Sequence, residues 1–351
     1  MATNTAKLTK LQSQLDSERR MVSFDSYDMT VRQLLEMFEE QAIFVPPEYQ
    51  RQFVWDETRE SQLVESIFLG IPVPSLFMAT NNDSTWEIVD GVQRLSTIAH
   101  FMSEKDNLIK KIGREAPLVI SGLEKLSELD GLSFPNLPKS LQLLFQTRPV
   151  RVTVLNDKSD LSVRFDLFER LNTGGVSLTN QEIRNCIFRG GFNDELKKLS
   201  ISKEFLRAVR LKESDKKNGT SEEYILRFFA YLDNRDSFDH SVKGFLNEYM
   251  KAQSSKIISP AKMRLFKDSM NILAKAFPGG ITRGQASTTS AVLYEALAVG
   301  VALAIKEKKS IKINKIRALV VDKQLRTYTT GATNSRKMLI SRIDYVRNNI
   351  E

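Results

Sequence analysis

The stretch Trp86-Glu87-Ile88-Val89-Asp90-Gly91-Val92-Gln93-Arg94-Leu95-Ser96 decides how the first half of the chain folds. Trp86–Val89 follows the Asn81-Asn82-Asp83 turn and predicts a strand, and a helix over Val92–Met102 follows directly. Asp90-Gly91 is the corner between them. Such a corner exposes backbone N–H groups at the positive end of a helix dipole, which makes an anion site. Arg94, in the first helical turn, adds a charge facing the same space, and Gln93 can orient a water or hold a phosphate or base edge. Asp90 would repel a bare phosphate, which makes sense if it holds a magnesium ion or activates an attacking water. The plainer alternative is that Asp90 is only an N-cap and Arg94 only a surface residue.

Working outward, Val31–Phe38 predicts a helix, and Ala42–Val45 a strand stopped by Pro46 and Pro47. Arg59–Leu69 is a helix with Leu63, Val64, Ile67 and Phe68 on one stripe and Gly70 as its stop. Ser75–Ala79 is a strand. Downstream come a helix over Pro138–Phe145, a strand over Val150–Leu155, and helices over Asp160–Leu171 and Asn180–Phe188. Beyond these no strand is evident. Lys212–Thr220 reads as an exposed loop. Apolar stripes such as Leu293, Leu297, Val301 and Leu339, Ile343, Val346, Ile350 predict a helical bundle. The expected architecture is α+β: a polar N-terminal helix or arm over 1–27, a mixed α/β domain over 28–190, and a basic α-helical domain over 191–351.

The length, 351 residues, suits two domains. No apolar run is long enough to span a bilayer, and the single cysteine, Cys186, fits a reducing cytoplasm. With only His100 and His240, a Cys/His zinc cluster and an H-E-x-x-H metalloprotease are excluded. Charge divides the chain: residues 1–190 hold 21 basic and 26 acidic side chains, and residues 191–351 hold 30 and 17. A basic face concentrates polyanions such as nucleic acid, although a solvated surface or a face for an acidic partner has the same composition.

Two further segments stand out. In Pro47-Glu48-Tyr49-Gln50-Arg51-Gln52-Phe53-Val54-Trp55, anchored aromatics leave Arg51 to project into a cleft as a phosphate fork, or to pair with Glu48 or Glu65. In Asn172-Thr173-Gly174-Gly175, a helix end exposes amides that can close over a phosphate or sugar. Thr179 and Glu182 then have the spacing of a capping box, and Arg184 and Asn185 could reach the same cleft.

Tyr49-Gln50-Arg51 with Trp55, Asp90-Gly91-Val92-Gln93-Arg94, and Asn172-Thr173-Gly174-Gly175 with Gln181-Glu182 together resemble one family. It is the N-terminal domain of GmrSD-type type IV restriction enzymes, also seen in the SspE and BrxU phage-defence proteins. The resemblance covers about residues 28–190 and implies a ParB/sulfiredoxin-like fold that binds and hydrolyses NTP, with Mg2+, coupled to restriction of modified phage DNA. It implies Asp90, Gln93 and Arg94 as catalytic residues, Asp90 also as the metal ligand, and Tyr49, Gln50, Arg51, Gly91, Asn172, Thr173 and Gly174 as nucleotide-binding. Val92 departs from the family's Gln-Gln pair. Two isolated histidines cannot supply a His-Asn-His nuclease, so cleavage would need a separate nuclease subunit or an uncommon nuclease. The expectation is therefore a cytoplasmic NTPase acting as a sensor or regulatory subunit, touching DNA through its basic C-terminal helices. The rivals are a non-enzymatic DNA-binding module and, last, a nickase using Glu87 and Asp90.

Overall fold

The computed structural model describes residues 2–20, 23–46, 55–81, 83–156, 161–171 and 178–351. The chain forms two compact units, 1–178 and 179–351.

The first unit opens with helix α1 (Ala2–Arg20), then strand β1 (Phe24–Thr30), helix α2 (Val31–Glu39) and the two-residue strand β2 (Ile43–Phe44). Helix α3 (Glu57–Leu69) leads into the hairpin of β3 (Leu76–Thr80) and β4 (Trp86–Asp90), and α4 (Val92–Met102) follows β4 after one residue. Helices α5 (Asp106–Lys111) and α6 (Lys139–Gln146), strand β5 (Pro149–Leu155) and helix α7 (Leu161–Leu171) complete it. The strands assemble in the order β1-β5-β3-β4-β2. β1 and β5 pair antiparallel, as do β3 and β4, whereas β3 runs parallel to β5 and β2 parallel to β4.

Thr30 starts α2 with a capping box closed by Gln33, and Val31, Leu34, Leu35 and Phe38 turn inward from it. Gly70, left-handed at φ 71, ends α3. Phe68, Phe101, Phe134 and Phe145 form the aromatic centre beneath α3 and α4, with ring centroids 4.9–6.5 Å apart. Trp55 and Trp86 are half-buried. Strand β1 was not foreseen. Its sequence, Phe24-Asp25-Ser26-Tyr27-Asp28-Met29-Thr30, is polar because it is an edge, aligned on β5 by full register and by the exposed Asp28–Arg151 pair.

The second unit is all helical among its described residues. Its helices are α8 (Asn180–Ile187), α9 (Gly191–Ser200), α10 (Lys203–Ala208), α11 (Glu213–Lys217), α12 (Thr220–Asn234), α13 (Val242–Gln253), α14 (Pro260–Ala276), α15 (Ala291–Lys306), α16 (Ile313–Val321), α17 (Lys323–Thr329) and α18 (Arg336–Asn348). The two stripes read from sequence are buried, one on α15 and the other along α18 and on to Ile350 just past its end. Gly300 lets α15 approach α18, since a Cβ there would lie 2.6 Å from Val346 Cγ1. The expected loop over 212–220 instead contains α11 and the first residue of α12, short polar turns whose side chains mostly stay in solvent. No described helix is long and apolar enough to cross a membrane.

Candidate functional site

The corner expected at Asp90-Gly91 is present. Gly91 is the N-cap of α4 at φ 99, and no side chain caps that helix start. A Cβ at Gly91 would lie 2.3 Å from Leu76 Cδ2, so the turn requires glycine on both conformational and steric grounds. Asp90 is not the N-cap; it is the last residue of β4. Nor is Arg94 a loose surface side chain. Its Nη1 donates to the Pro74 carbonyl and, at 3.0 Å, to the Ser75 carbonyl, while Nη2 donates to Asp90 Oδ2 at 2.7 Å. Arg94 is thus fixed between the segment leading into β3 and the last residue of β4, with its side chain 13% exposed and that of Asp90 28% exposed. Pairing with Arg94 removes most of the repulsion Asp90 would present to a phosphate.

The ladder supplies a detail that strict alternation hides. Glu87 is paired with Ala79, Ile88 with Met78, and Asp90 with Phe77, so Val89 is an extra residue in β4. This β-bulge lets Ile88 and Val89 both bury toward the core. It also puts Glu87 and Asp90 opposite two alternate positions of β3, on one face of the sheet. On that face Phe77, with Phe24, Thr153, Leu155, Val163 and Leu167, lines a cavity of about 320 Å³. That volume lies at the small end of ligand sites, which run from about 300 to 1,000 Å³.

Gln93 sits on the first turn of α4, and its Oε1 accepts the Trp55 N–H at 3.3 Å. The Trp55 carbonyl in turn accepts from Arg114, whose Nη2 also donates to Glu60 Oε1 at 3.0 Å. Glu60 is buried, and its Oε2 lies 2.7 Å from His100 Nδ1, while His100 Nε2 faces the Ala116 carbonyl at 2.9 Å. His100 is therefore structural, a brace between α3, α4 and the segment that follows. Arg59 lies over the Trp55 ring at 4.6 Å. Glu60 and Arg114 hold Gln93 in place, and no sequence motif marked them because they lie 33 and 21 positions away from it.

Val92 is 4% exposed, so the residue that replaces the family's first glutamine packs in the core. Tyr49, Gln50 and Arg51, and likewise Asn172, Thr173 and Gly174, lie outside the described residues. The proposed carboxylate partner of Arg51, Glu65, accepts the backbone N–H groups of Lys125 and Leu126 at 3.0 and 2.8 Å. Thr179 and Glu182 form the expected capping box. Arg184, however, is turned into the second unit, where it meets Gln181 at 3.1 Å, Glu223 at 3.0 Å and Asn247 at 2.8 Å. It braces that unit's interior. Burial lowers the Arg184 pKa, against the raising effect of Glu223.

Among the described residues no group of three or more His, Cys, Asp or Glu could hold a metal ion. That excludes an all-protein cage there but suits magnesium, which commonly takes one or two carboxylates and completes its shell with water and substrate phosphates. Asp90 fits such a role: Arg94 holds Oδ2, and no described hydrogen bond reaches Oδ1.

Residues 31–189 match the family model described as the GmrSD restriction endonuclease, N-terminal domain. No curated protein and no solved structure matches the chain.

Proposed function

The chain belongs, through residues 31–189, to the GmrSD restriction endonuclease N-terminal domain family, and from that premise we propose that it is an NTP-binding and NTP-hydrolysing sensor or regulatory subunit of a system that restricts phage DNA. The β4–α4 corner carries this reading: a helix start without a side-chain cap, an Asp90–Arg94 pair beside it, and a cavity on the same sheet face. The same corner supports reading the sheet as ParB/sulfiredoxin-like.

The triphosphate would lie on the α4 N-terminus, where backbone N–H groups and the helix dipole favour negative charge. Arg94, held by two carbonyls, fixes the orientation of Asp90 and offsets its charge. Asp90 Oδ1 would hold Mg2+ or receive a hydrogen bond from the attacking water. Bound magnesium would neutralise charge on the phosphate oxygens. Gln93, steadied through Trp55, would align the nucleophile. Tyr49, Gln50 and Arg51, together with Asn172, Thr173 and Gly174, would complete the nucleotide site. Catalysis of this kind is positioning and charge stabilisation, with no covalent intermediate. DNA would meet the basic helices of the second unit in the cytoplasm, and a separate nuclease would cut it.

The test is phosphate release from each of the four NTPs, with magnesium, and with plain or modified DNA. Asp90→Ala is expected to abolish turnover while the melting temperature stays near that of the parent. Undiminished hydrolysis in that variant would sink the assignment. The charge asymmetry also keeps a non-enzymatic DNA-binding module in play. Nucleotide with magnesium must raise the melting temperature if the corner binds it, and salt-sensitive DNA binding with no such rise would favour the module.

A further inference from the structure

We propose that the surface of α16 and α17 around Arg283, Lys323 and Arg326 is where the second unit grips a nucleic-acid backbone. The assignment rests on the reading that this unit touches DNA, and it names the place. Residues 308–343 contain ten lysines and arginines and one acid, Asp322. Asp322 is already engaged: Oδ1 caps α17 through the Leu325 N–H at 2.8 Å, and the Tyr345 hydroxyl hydrogen-bonds to the same side chain.

Arg283 enters from the irregular segment between α14 and α15. Its Nε donates to the Val320 carbonyl at 2.8 Å and its Nη1 to Thr329 Oγ1 at 2.8 Å, so the guanidinium is pinned between the ends of α16 and α17. Its Nη2 is buried with no hydrogen-bond partner. Burial first, and then the charge of Arg326, lowers the Arg283 pKa, which places the two guanidinium groups within electrostatic reach. Lys323 and Arg326 are exposed, three positions apart on α17 and so on one face of it. No described carboxylate pairs with Arg283, Lys323 or Arg326.

The rest of the unit shows what compensation looks like. Arg184, Arg227 and Arg342 each meet Glu223 or Glu295. A unit that pairs Arg184, Arg227 and Arg342 with carboxylates and leaves this cluster without a described one is built to take its anion from outside. Arg283 cannot swing away, so it supplies a fixed positive potential, while Lys323 and Arg326 have the reach to contact phosphates. Exposed Arg336 and Lys337 begin the next helix and extend the basic surface along the chain. Val321 is the one large apolar side chain exposed in residues 308–343. A protein partner would call for an apolar or aromatic anchor at the centre of the patch, so the chemistry favours a phosphodiester backbone.

The test is fluorescence anisotropy of a labelled DNA duplex of arbitrary sequence with the full chain and no nucleotide. The double variant Lys323→Glu/Arg326→Glu is compared with Lys198→Glu/Lys203→Glu, which makes the same charge change at exposed positions on α9 and α10. The α17 pair is expected to weaken binding about tenfold or more at low salt and to cut the salt slope by about two, with the melting temperature unchanged. The α9–α10 pair should lose much less, and Lys323→Gln/Arg326→Gln should fall between. Equal losses from both reversed pairs would overturn this location while leaving DNA contact standing. No binding by the parent chain would remove the DNA reading and this surface together. Capture by phosphatidylserine–phosphatidylcholine vesicles without DNA binding would assign the surface to a membrane instead.

Discussion

In the second unit Glu295 is fully buried between Arg227 and Arg342, each at 2.5 Å, and Arg227 links on through Glu223 to Arg184. In the first unit Asp90 stands partly exposed against one arginine, Arg94, at 2.7 Å. The residue types are the same and the surroundings are opposite. Inside the helical unit Glu295, Arg342 and Arg184 have been stripped of water, with Glu223 and Arg227 at the partly exposed rim of the network, and the buried charges are stable only in their partners' company, so the network braces helices. At the corner Asp90 keeps contact with solvent and an oxygen without a described hydrogen bond, so its chemistry is available to a ligand. Burial and saturation, more than identity, separate a strut from a reagent.

That contrast can be broken most forcefully at Glu295. Glu295→Ala leaves Arg227 and Arg342 without their shared carboxylate and should cost about 3–5 kcal/mol in urea denaturation; a loss below about 1 kcal/mol would mean that the network does not brace the unit. Gly91→Ala comes next. Its φ of 99 and the 2.3 Å approach to Leu76 predict a loss of about 1–3 kcal/mol, accompanied by loss of any nucleotide-induced rise in melting temperature. Val92→Gln, which restores the family's glutamine pair, should destabilise by about 1–3 kcal/mol without raising turnover, because the amide would enter the core. Faster hydrolysis in that variant would show that position 92 addresses the ligand. The smallest effect belongs to Asp90→Ala, whose stability cost should stay below about 1 kcal/mol because the ion pair it removes is partly solvated.

Much of the fold was legible because it is written locally. Helix α4 spans the predicted Val92–Met102, and β4 ends one residue beyond the predicted strand. What escaped depends on partners distant in sequence. Strand β1 has no apolar alternation of its own and exists because β5, over 120 residues later, offers a matching edge. The corner was visible as a glycine between strand and helix, but the double duty of Arg94 on Pro74 and Ser75 was not, since backbone carbonyls leave no trace in composition. Arg184 misled for a related reason: helix spacing gives a side chain's phase, yet not which neighbour fills the space in front of it.

The extra residue in β4 has a wider consequence. A strand is a two-beat rhythm, and Val89 is a repeated beat that resets everything after it. Because Asp90 already pairs with Phe77, a chain lacking Val89 would keep the carboxylate on its present face, whereas a chain that kept Val89 but straightened the strand would set Val89 opposite Phe77 and turn the carboxylate to the other side. Homologous chains could thus differ in length by one residue at this point and still present the carboxylate on the same face, provided that the bulge comes and goes with the residue.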